Sequence, residues 1–527
     1  MTLAPRILVN FFAGLRTARF AKQLKRTGNG VVAQKAIFTQ LLASLGRTQL
    51  GQRQGLRAGM DYDSFRQSQP LVEHLHYTPF IEAMAGGEAD VLWPGRCQFF
   101  VSTAGTTTGT PRRLPITSEM LANYHAGLSA AAFIHAMNAG HAGIFLGRHL
   151  QVGASTKLDE VNGSYLGNFD AITHLALSPW VEANLYSPAA KLAQLPEGPA
   201  RSIAIADHML SRDVTLIGGK PAAVRLMADV LRTRGTRGKA RITTLQALWP
   251  NLECYLHVGA QLGLLAHELQ GMLGPTVSFR EVYAAAEGWF AVQDGKAADG
   301  LRLLTDAGIF FEFLPMTEYD DALPTHLGRA CVPLAQAQPG VDYALVITTP
   351  AGLCRYVVGD IVRFVSIETP RLHFVGRIRL QLAAFDEYVS ERELNESLLE
   401  VCSAHDWIPV NFHVAPFFTR PMPNPQGGHQ WWIELRPGTV KTPTGPLLAT
   451  QLDEALARRN SVYARLRSIL RVDPPIVRLV MPGVFEQWAA KHPIQSGGGL
   501  PCCRADRLIA DQLTLLTKFH AGEAMIS

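Results

Sequence analysis

The chain is poor in cysteine. Its seven cysteines among 527 residues (Cys97, Cys254, Cys331, Cys354, Cys402, Cys502 and Cys503) are scattered and odd in number. None has zinc-site spacing, and the adjacent Cys502 and Cys503 suit neither a CxxC redox motif nor a metal. This argues against a disulfide framework and for a reducing, cytoplasmic setting. An excess of one charge is also lacking: 49 Lys and Arg stand against 44 Asp and Glu, a formal +5. Much of the excess lies near the start, at Arg6, Arg16, Arg19, Lys22, Lys25, Arg26, Lys35, Arg47, Arg53 and Arg57. A nucleic-acid footprint needs a denser basic stripe with interleaved aromatics. Solvated helix faces are the expectation instead.

Long apolar runs are missing too. Ile7 to Leu15 is mostly apolar between Arg6 and Arg16, but it is short and no small-residue cleavage site follows. Ala126 to Gly147 is apolar yet carries His135, Asn138 and His141, which points to a buried helix rather than a membrane span. What is present is a globular mixture, 47% hydrophobic, 18% charged and 8% aromatic. That composition excludes disordered, collagen-like and coiled-coil chains. The length exceeds what one core usually serves, so a large domain and at least one smaller one are expected.

Periodicity sketches the layout. Ala33 to Leu45 is an amphipathic helix with Ile37, Leu41, Leu42 and Leu45 on one side. Ser118 to Met137 reads as a helix with Ser118 as its N-cap. Gln98–Val101, Ile144–Leu146, Thr215–Ile217 and Ala344–Thr348 read as strands, and Ala222–Arg234 and Leu262–Leu273 as helices. This alternation predicts an α/β chain with a mainly parallel or mixed sheet. From about Arg377 the character changes. A helix over 390–402, two strands within 410–437 around Pro421, Pro423 and Pro425, and a helix over 448–470 form a compact α+β unit.

Three segments carry chemistry. Ser102 to Arg113 (STAGTTTGTPRR) follows a strand and is expected to lead into a helix. Gly105 and Gly109 permit close backbone approach. Thr103, Thr106, Thr107 and Thr108 supply hydroxyls, and Arg112 and Arg113 can neutralise phosphate charge. No GK[ST] follows, so this is not a Walker loop; its bland reading is a polar turn. In Tyr283–Trp289 (YAAAEGW), Glu287 stands alone among small residues and can hold magnesium or face a polar ligand. The bland alternative is a helix-start glutamate. Within Val346–Phe364, a strand, a Pro-Ala-Gly turn and a second strand run to Gly359-Asp360. An Asp at a strand end suits two ribose hydroxyls; otherwise it is an Asp turn.

The fixed order of these segments resembles the auxin-responsive acyl-acid amido synthetase family, which belongs to the adenylate-forming superfamily. The shorter runs Arg47–Gly51, Leu248–Leu252, Phe311–Pro315 and Phe374–Arg377 resemble it too, so the likeness covers essentially the whole chain. The resemblance implies a large N-terminal α/β domain with mixed sheets (residues 1–376) that binds nucleotide and acyl substrate. It also implies a smaller, mobile C-terminal α+β cap (377–527). Its implied chemistry joins a carboxylic acid to an amine, often an amino acid, through an acyl-adenylate, using ATP and Mg2+. Small molecules are then the partners, with neither nucleic acid nor membrane. Residue by residue, Thr103, Ala104, Gly105, Thr106, Thr107, Thr108 and Gly109 would hold the phosphates. Ala286 and Glu287 would face the nucleotide, Glu287 would bind the metal, and Asp360 the ribose. Arg377 would mark the hinge, and Arg112 and Glu287 would be catalytic.

The chain departs from that pattern in four places. Arg112 replaces a lysine, Ala285 and Ala286 replace serines, and Tyr388 replaces the hinge-proximal lysine. The mobile lysine of the cap falls on Gly499. Losing such a group costs about 2.7–4 kcal/mol of transition-state stabilisation. Lys491 or Arg504 can compensate. Slow adenylation, a preactivated substrate, a thiol acceptor and a nucleotide-binding pseudoenzyme are the alternatives. His125, His135 and His141 are candidate bases for the amine, although most such histidines only pack. Cys354 is a conceivable acyl carrier. Asp386 and Glu387 are expected at the domain junction.

Overall fold

Twelve strands form the main sheet of the computed structural model, which describes residues 3–26, 30–103, 112–236, 242–258, 262–263, 265–319, 328–420, 425–437, 443–491, 502–504 and 507–523. One half of the sheet is parallel. Tyr186–Ser187, Arg148–Val152, Val214–Gly219, Cys254–Val258 and Ser278–Ala285 run side by side in one direction. The other half is antiparallel and contains Gly288–Val292, Leu301–Leu303, Arg371–Arg377, Tyr356–Ser366, Asp342–Thr348, Phe310–Pro315 and Val332–Pro333. The halves meet at the tight turn Ala286-Glu287, between Ala285 and Gly288.

The parallel half follows from its composition. Val214–Gly219 is buried at every position, as a strand covered on both faces must be. Helices Pro221–Gly235 and Leu265–Leu273 bring Val224, Leu231, Leu269 and Leu273 against Ile217 and Tyr255. Pro221 opens its helix where its missing N–H costs nothing. The carboxyl ends of these strands, at Val152, Gly219, Val258 and Ala285, share one edge. Open α/β sheets bind ligands at that edge.

A second, four-stranded sheet holds the hairpin Phe99–Ser102 and Arg113–Ile116 beside Ser164–Gly167 and Asp159–Val161. The helix Ser118–Ala139 follows it. Thr117, one residue before the expected cap, accepts from Met120 N at 3.1 Å, and Gly140 ends the helix at φ 74°. Gly127 brings this helix hard against Trp289, which a Cβ at position 127 would meet at 2.5 Å.

The C-terminal part has its own apolar cores. Pro409–Arg420, Gln426–Leu435 and Ile476–Val480 form a three-stranded sheet. Helices Glu391–Ser403 and Gly445–Arg459 pack Leu394, Leu398 and Leu452 against Trp431. Its other face gathers Trp432, Trp488 and Leu513.

Four expectations change. The threonine-rich loop closes a hairpin rather than leading into a helix. Ile144–Leu146 lies in the 3₁₀ turn Gly143–Leu146, and the strand begins at Arg148. A short apolar run does not distinguish the two. The helix expected over 448–470 breaks at Asn460, whose side chain accepts from Tyr463 N at 2.8 Å and starts a new helix. Asp360 stands inside the strand Tyr356–Ser366, not at its end. There the register slips against Asp342–Thr348, and Gly359 adopts φ 92°.

Candidate active site

The turn Ala286-Glu287 is held from below by the Ser118–Ala139 helix. Tyr124 donates its hydroxyl to the carbonyls of Ala286 (3.0 Å) and Ala285 (3.3 Å). Asn123 accepts from Trp289 N at 2.8 Å and donates to the carbonyls of Trp289 and Ala307. Gly288 adopts φ 147°, and a Cβ there would meet Ile309 at 2.5 Å, so the turn requires glycine. The clamp presents Glu287 at the meeting point of the two sheet halves.

Around Glu287 the three segments converge. Tyr356 donates to Glu287 Oε1 at 3.2 Å. Tyr283 donates to Asp360 Oδ2 at 2.7 Å. Arg377, paired with Asp360 across the ladder, brings its Nε to 3.8 Å from Asp360 Oδ1. Arg112 comes from the hairpin. Its backbone N donates to Thr103 Oγ1 at 3.3 Å, and its carbonyl accepts from Thr103 N at 2.9 Å. These bonds close the mouth of the threonine-rich loop. Ala104, Gly105, Thr106, Thr107, Thr108 and Gly109 lie outside the described residues, as does Gly499.

Three carboxylates here are held under tension. Burial pushes the Glu287 carboxyl above the usual carboxylate range and the charge of Asp360 adds to this, while Arg112 and the Tyr356 hydroxyl oppose it. Burial raises Asp360 as well, against Arg377 and Tyr283. Glu391, at the first turn of its helix, is raised by burial against Arg377. Arg377 therefore ties the main sheet to the first helix of the C-terminal unit.

A buried acid repelled by a second acid is a seat for a cation. Among the described residues, no group of three or more His, Cys, Asp or Glu side chains can hold a metal. A pair of carboxylates still fits Mg2+, which binds through one or two carboxylates plus substrate phosphates.

The tension has a measurable sign. A carboxyl raised in the folded state costs stability above its folded pKa, and that cost vanishes below the unfolded value of about 4.3. Glu287→Gln is therefore expected to raise the unfolding midpoint at pH 7–8. The gain should shrink as pH falls towards that value. Thermal melts across the range check this, and a lower midpoint at pH 8 would refute it.

Other sequence candidates have different duties. Cys354 is buried, and its backbone is bonded on both sides by Tyr77, whose hydroxyl accepts from Cys354 N and donates to Cys354 O. Burial pushes its thiol up to about 12, which speaks against an acyl-carrier role. His125 Nδ1 lies 3.1 Å from the Ala176 carbonyl, and His135 and His141 lie 3.5 and 3.7 Å from Glu253. Glu387 is fully buried against His429 at 2.9 Å, a structural pair. Tyr388 and Lys491 are exposed. Sequence reasoning missed Tyr124, Tyr283, Tyr356 and Glu391 as site residues. The signal for Tyr283 and Tyr356 was present: a tyrosine inside a polar motif needs a partner for its hydroxyl once buried.

A large α/β body with a parallel-antiparallel switch and a separate α+β C-terminal unit is the architecture of adenylate-forming enzymes. The 2-hydroxyisobutyryl-CoA ligase structure with bound R3-HIB-AMP has this fold, at TM-score 0.57 and 15% identity over 91% of this chain and 92% of that one. The GH3.15 acyl acid amido synthetase in complex with 2,4-DB is nearer, at TM-score 0.73 and 18% identity over 94% and 95%. The GH3 family N-terminal, central and C-terminal domains match residues 19–168, 302–377 and 393–510. The chain belongs to the GH3 family. It is 23% identical to a probable indole-3-acetic acid-amido synthetase, GH3.12, of Oryza sativa subsp. japonica, over 92% of each chain. It is 23% identical to another, GH3.1, of Arabidopsis thaliana, over 90% of this chain and 88% of the other. Its activity is that of an ATP-dependent acyl-acid amido synthetase.

Proposed function

We propose that this chain activates a small carboxylic acid with ATP and passes the acyl group to the amino group of an amino acid. The observation that carries the residue roles is the convergence of Arg112, Glu287, Tyr356 and Asp360 at one end of the sheet switch. The acid's carboxylate oxygen attacks the α-phosphorus, the bond to the β-phosphate oxygen breaks, and pyrophosphate leaves. The amine nitrogen then attacks the acyl carbon, the carbon–oxygen bond to AMP breaks, and the amine loses a proton.

Asp360 binds the ribose hydroxyls, with Tyr283 fixing the carboxylate's orientation. Thr103 to Gly109 cradle the phosphates, and Arg112 neutralises charge passing to pyrophosphate. Glu287 holds Mg2+, which supplies further charge neutralisation on the phosphates when bound. Residues 1–376 form the substrate-binding domain and 377–527 the cap, with Arg377 at the hinge. Separate apolar cores support that division. The acyl pocket lies along the edge formed by Val152, Gly219 and Val258. All seven cysteines are free thiols, which supports a reducing cytoplasmic setting.

Pyrophosphate release over a panel of carboxylic acids, with and without amino acids, tests the reading. Acid-dependent release and amide formation only with an amino compound are expected. ATP binding without acid-dependent release would make the protein a pseudoenzyme, and product with thiols alone would reassign the acceptor.

A further inference from the structure

The first helix, Leu3–Arg26, contains no Asp or Glu and six cations. It docks on the body by one side only. Ala13 is buried, Val9 and Phe20 pack against the main core, and the Phe20 ring lies 5.5 Å from that of Phe133. At 3.6 residues per turn, the opposite side carries Ile7, Leu8, Phe11, Phe12 and Leu15. These five are 63, 58, 63, 58 and 41% exposed. Further along the same outward stripe come Arg19, Lys22 and Lys25, also exposed, with Arg16 at its border. The stripe is apolar for its first turns and cationic for its last. The family's N-terminal domain model matches from residue 19 onward, so the apolar half of the stripe lies before the matched residues.

We propose that this helix is a peripheral docking surface for an anionic phospholipid bilayer. A bilayer offers the two halves what each lacks: an acyl boundary for exposed aromatic and aliphatic side chains, and phosphate-level negative charge for the cations. Charge complementarity favours this occupant over a second copy. Pairing the helix with itself along its length sets cations against cations or against apolar side chains. The helix lies on the bilayer rather than across it, since no described helix is long and apolar enough to cross a membrane.

Sedimentation of the full chain with vesicles tests this. Binding is expected to phosphatidylcholine vesicles containing about 30% phosphatidylserine, and about tenfold or more weaker binding to phosphatidylcholine alone. Phe11→Ser/Phe12→Ser and, separately, Arg19→Glu/Lys22→Glu should each weaken binding by about tenfold or more. Raising NaCl to about 0.5 M should weaken it as well. Melting temperature and amide synthesis in solution should not change, because these side chains are exposed and make none of the site's hydrogen bonds described above. Absence of vesicle binding, or binding that ignores lipid charge and both variants, overturns the proposal. So does a dimer, seen by light scattering, that Phe11→Ser/Phe12→Ser dissolves. Equally tight capture of soluble polyglutamate, unaffected by the Phe variants, would likewise overturn it.

Discussion

Asp360→Asn is expected to lower kcat/KM for ATP by about 10²–10³-fold, chiefly through KM, while the fold survives. A carboxylate accepting from two ribose hydroxyls makes charge-assisted bonds worth about 1.5–3 kcal/mol each. Asparagine keeps the shape but loses the charge and one acceptor. Tyr283, at 2.7 Å, can still donate to the asparagine oxygen, so the local packing should persist. Asparagine also removes the repulsion that raises Glu287, which works against unfolding. Isothermal titration with ATP and steady-state kinetics measure the effect, with circular dichroism as the folding control. Unchanged ATP affinity would remove Asp360 from the nucleotide site.

Arg355→Met is expected to destabilise the chain by about 3–5 kcal/mol, the usual cost of breaking a buried ion pair. Arg355 and Glu312 are both fully buried. The guanidinium donates to both Glu312 oxygens, at 3.1 and 2.9 Å, and to the carbonyls of Arg66, Gln69 and Gly328. Among the described residues, methionine leaves Glu312 with Tyr62 as its remaining hydrogen-bond donor, at 3.0 Å. Glu312→Leu/Arg355→Met should recover part of the loss by removing the stranded charge. Recovery stays incomplete, because three carbonyls still lose their donor. Denaturant titration of the three forms gives the numbers. A loss below about 1 kcal/mol for Arg355→Met would show that the network carries little stability. Activity should fall as well, since Arg355 directly precedes Tyr356, the partner of Glu287.

The chemistry-bearing segments were legible because each joins a glycine-marked turn to charge or hydroxyls. Glu287 and Asp360 stood out as acids among small or apolar neighbours. The C-terminal helix at 390–402 was legible, and in the structure Ser390 and Glu393 cap each other reciprocally at its start. Other features were hidden for physical reasons. Pro115 disguised the strand after the threonine-rich loop, although it pairs in register with Phe100. Gly359 at positive φ read as a turn, whereas it marks an irregularity inside a continuous strand. Buried tyrosines look like core in any hydrophobicity pattern, and only three dimensions reveal what their hydroxyls hold. Glu312 and Arg355 are far apart in sequence, so neither announced the other. The first helix showed its apolar run, Ile7 to Leu15, but not that this side would be left uncovered.

The order of strands in the main sheet has a consequence for how the protein is made. Arg371–Arg377 pairs on one side with Tyr356–Ser366, its immediate predecessor, and on the other with Leu301–Leu303. Everything between those two partners loops out to build the far edge. During synthesis from the N-terminus, Leu301–Leu303 therefore waits with an open flank until Arg377 has left the ribosome. Unpaired strand flanks invite association with other chains. The same late segment that ties the sheet to the C-terminal unit thus also seals it, so the nascent chain keeps an open flank until Arg371–Arg377 has emerged.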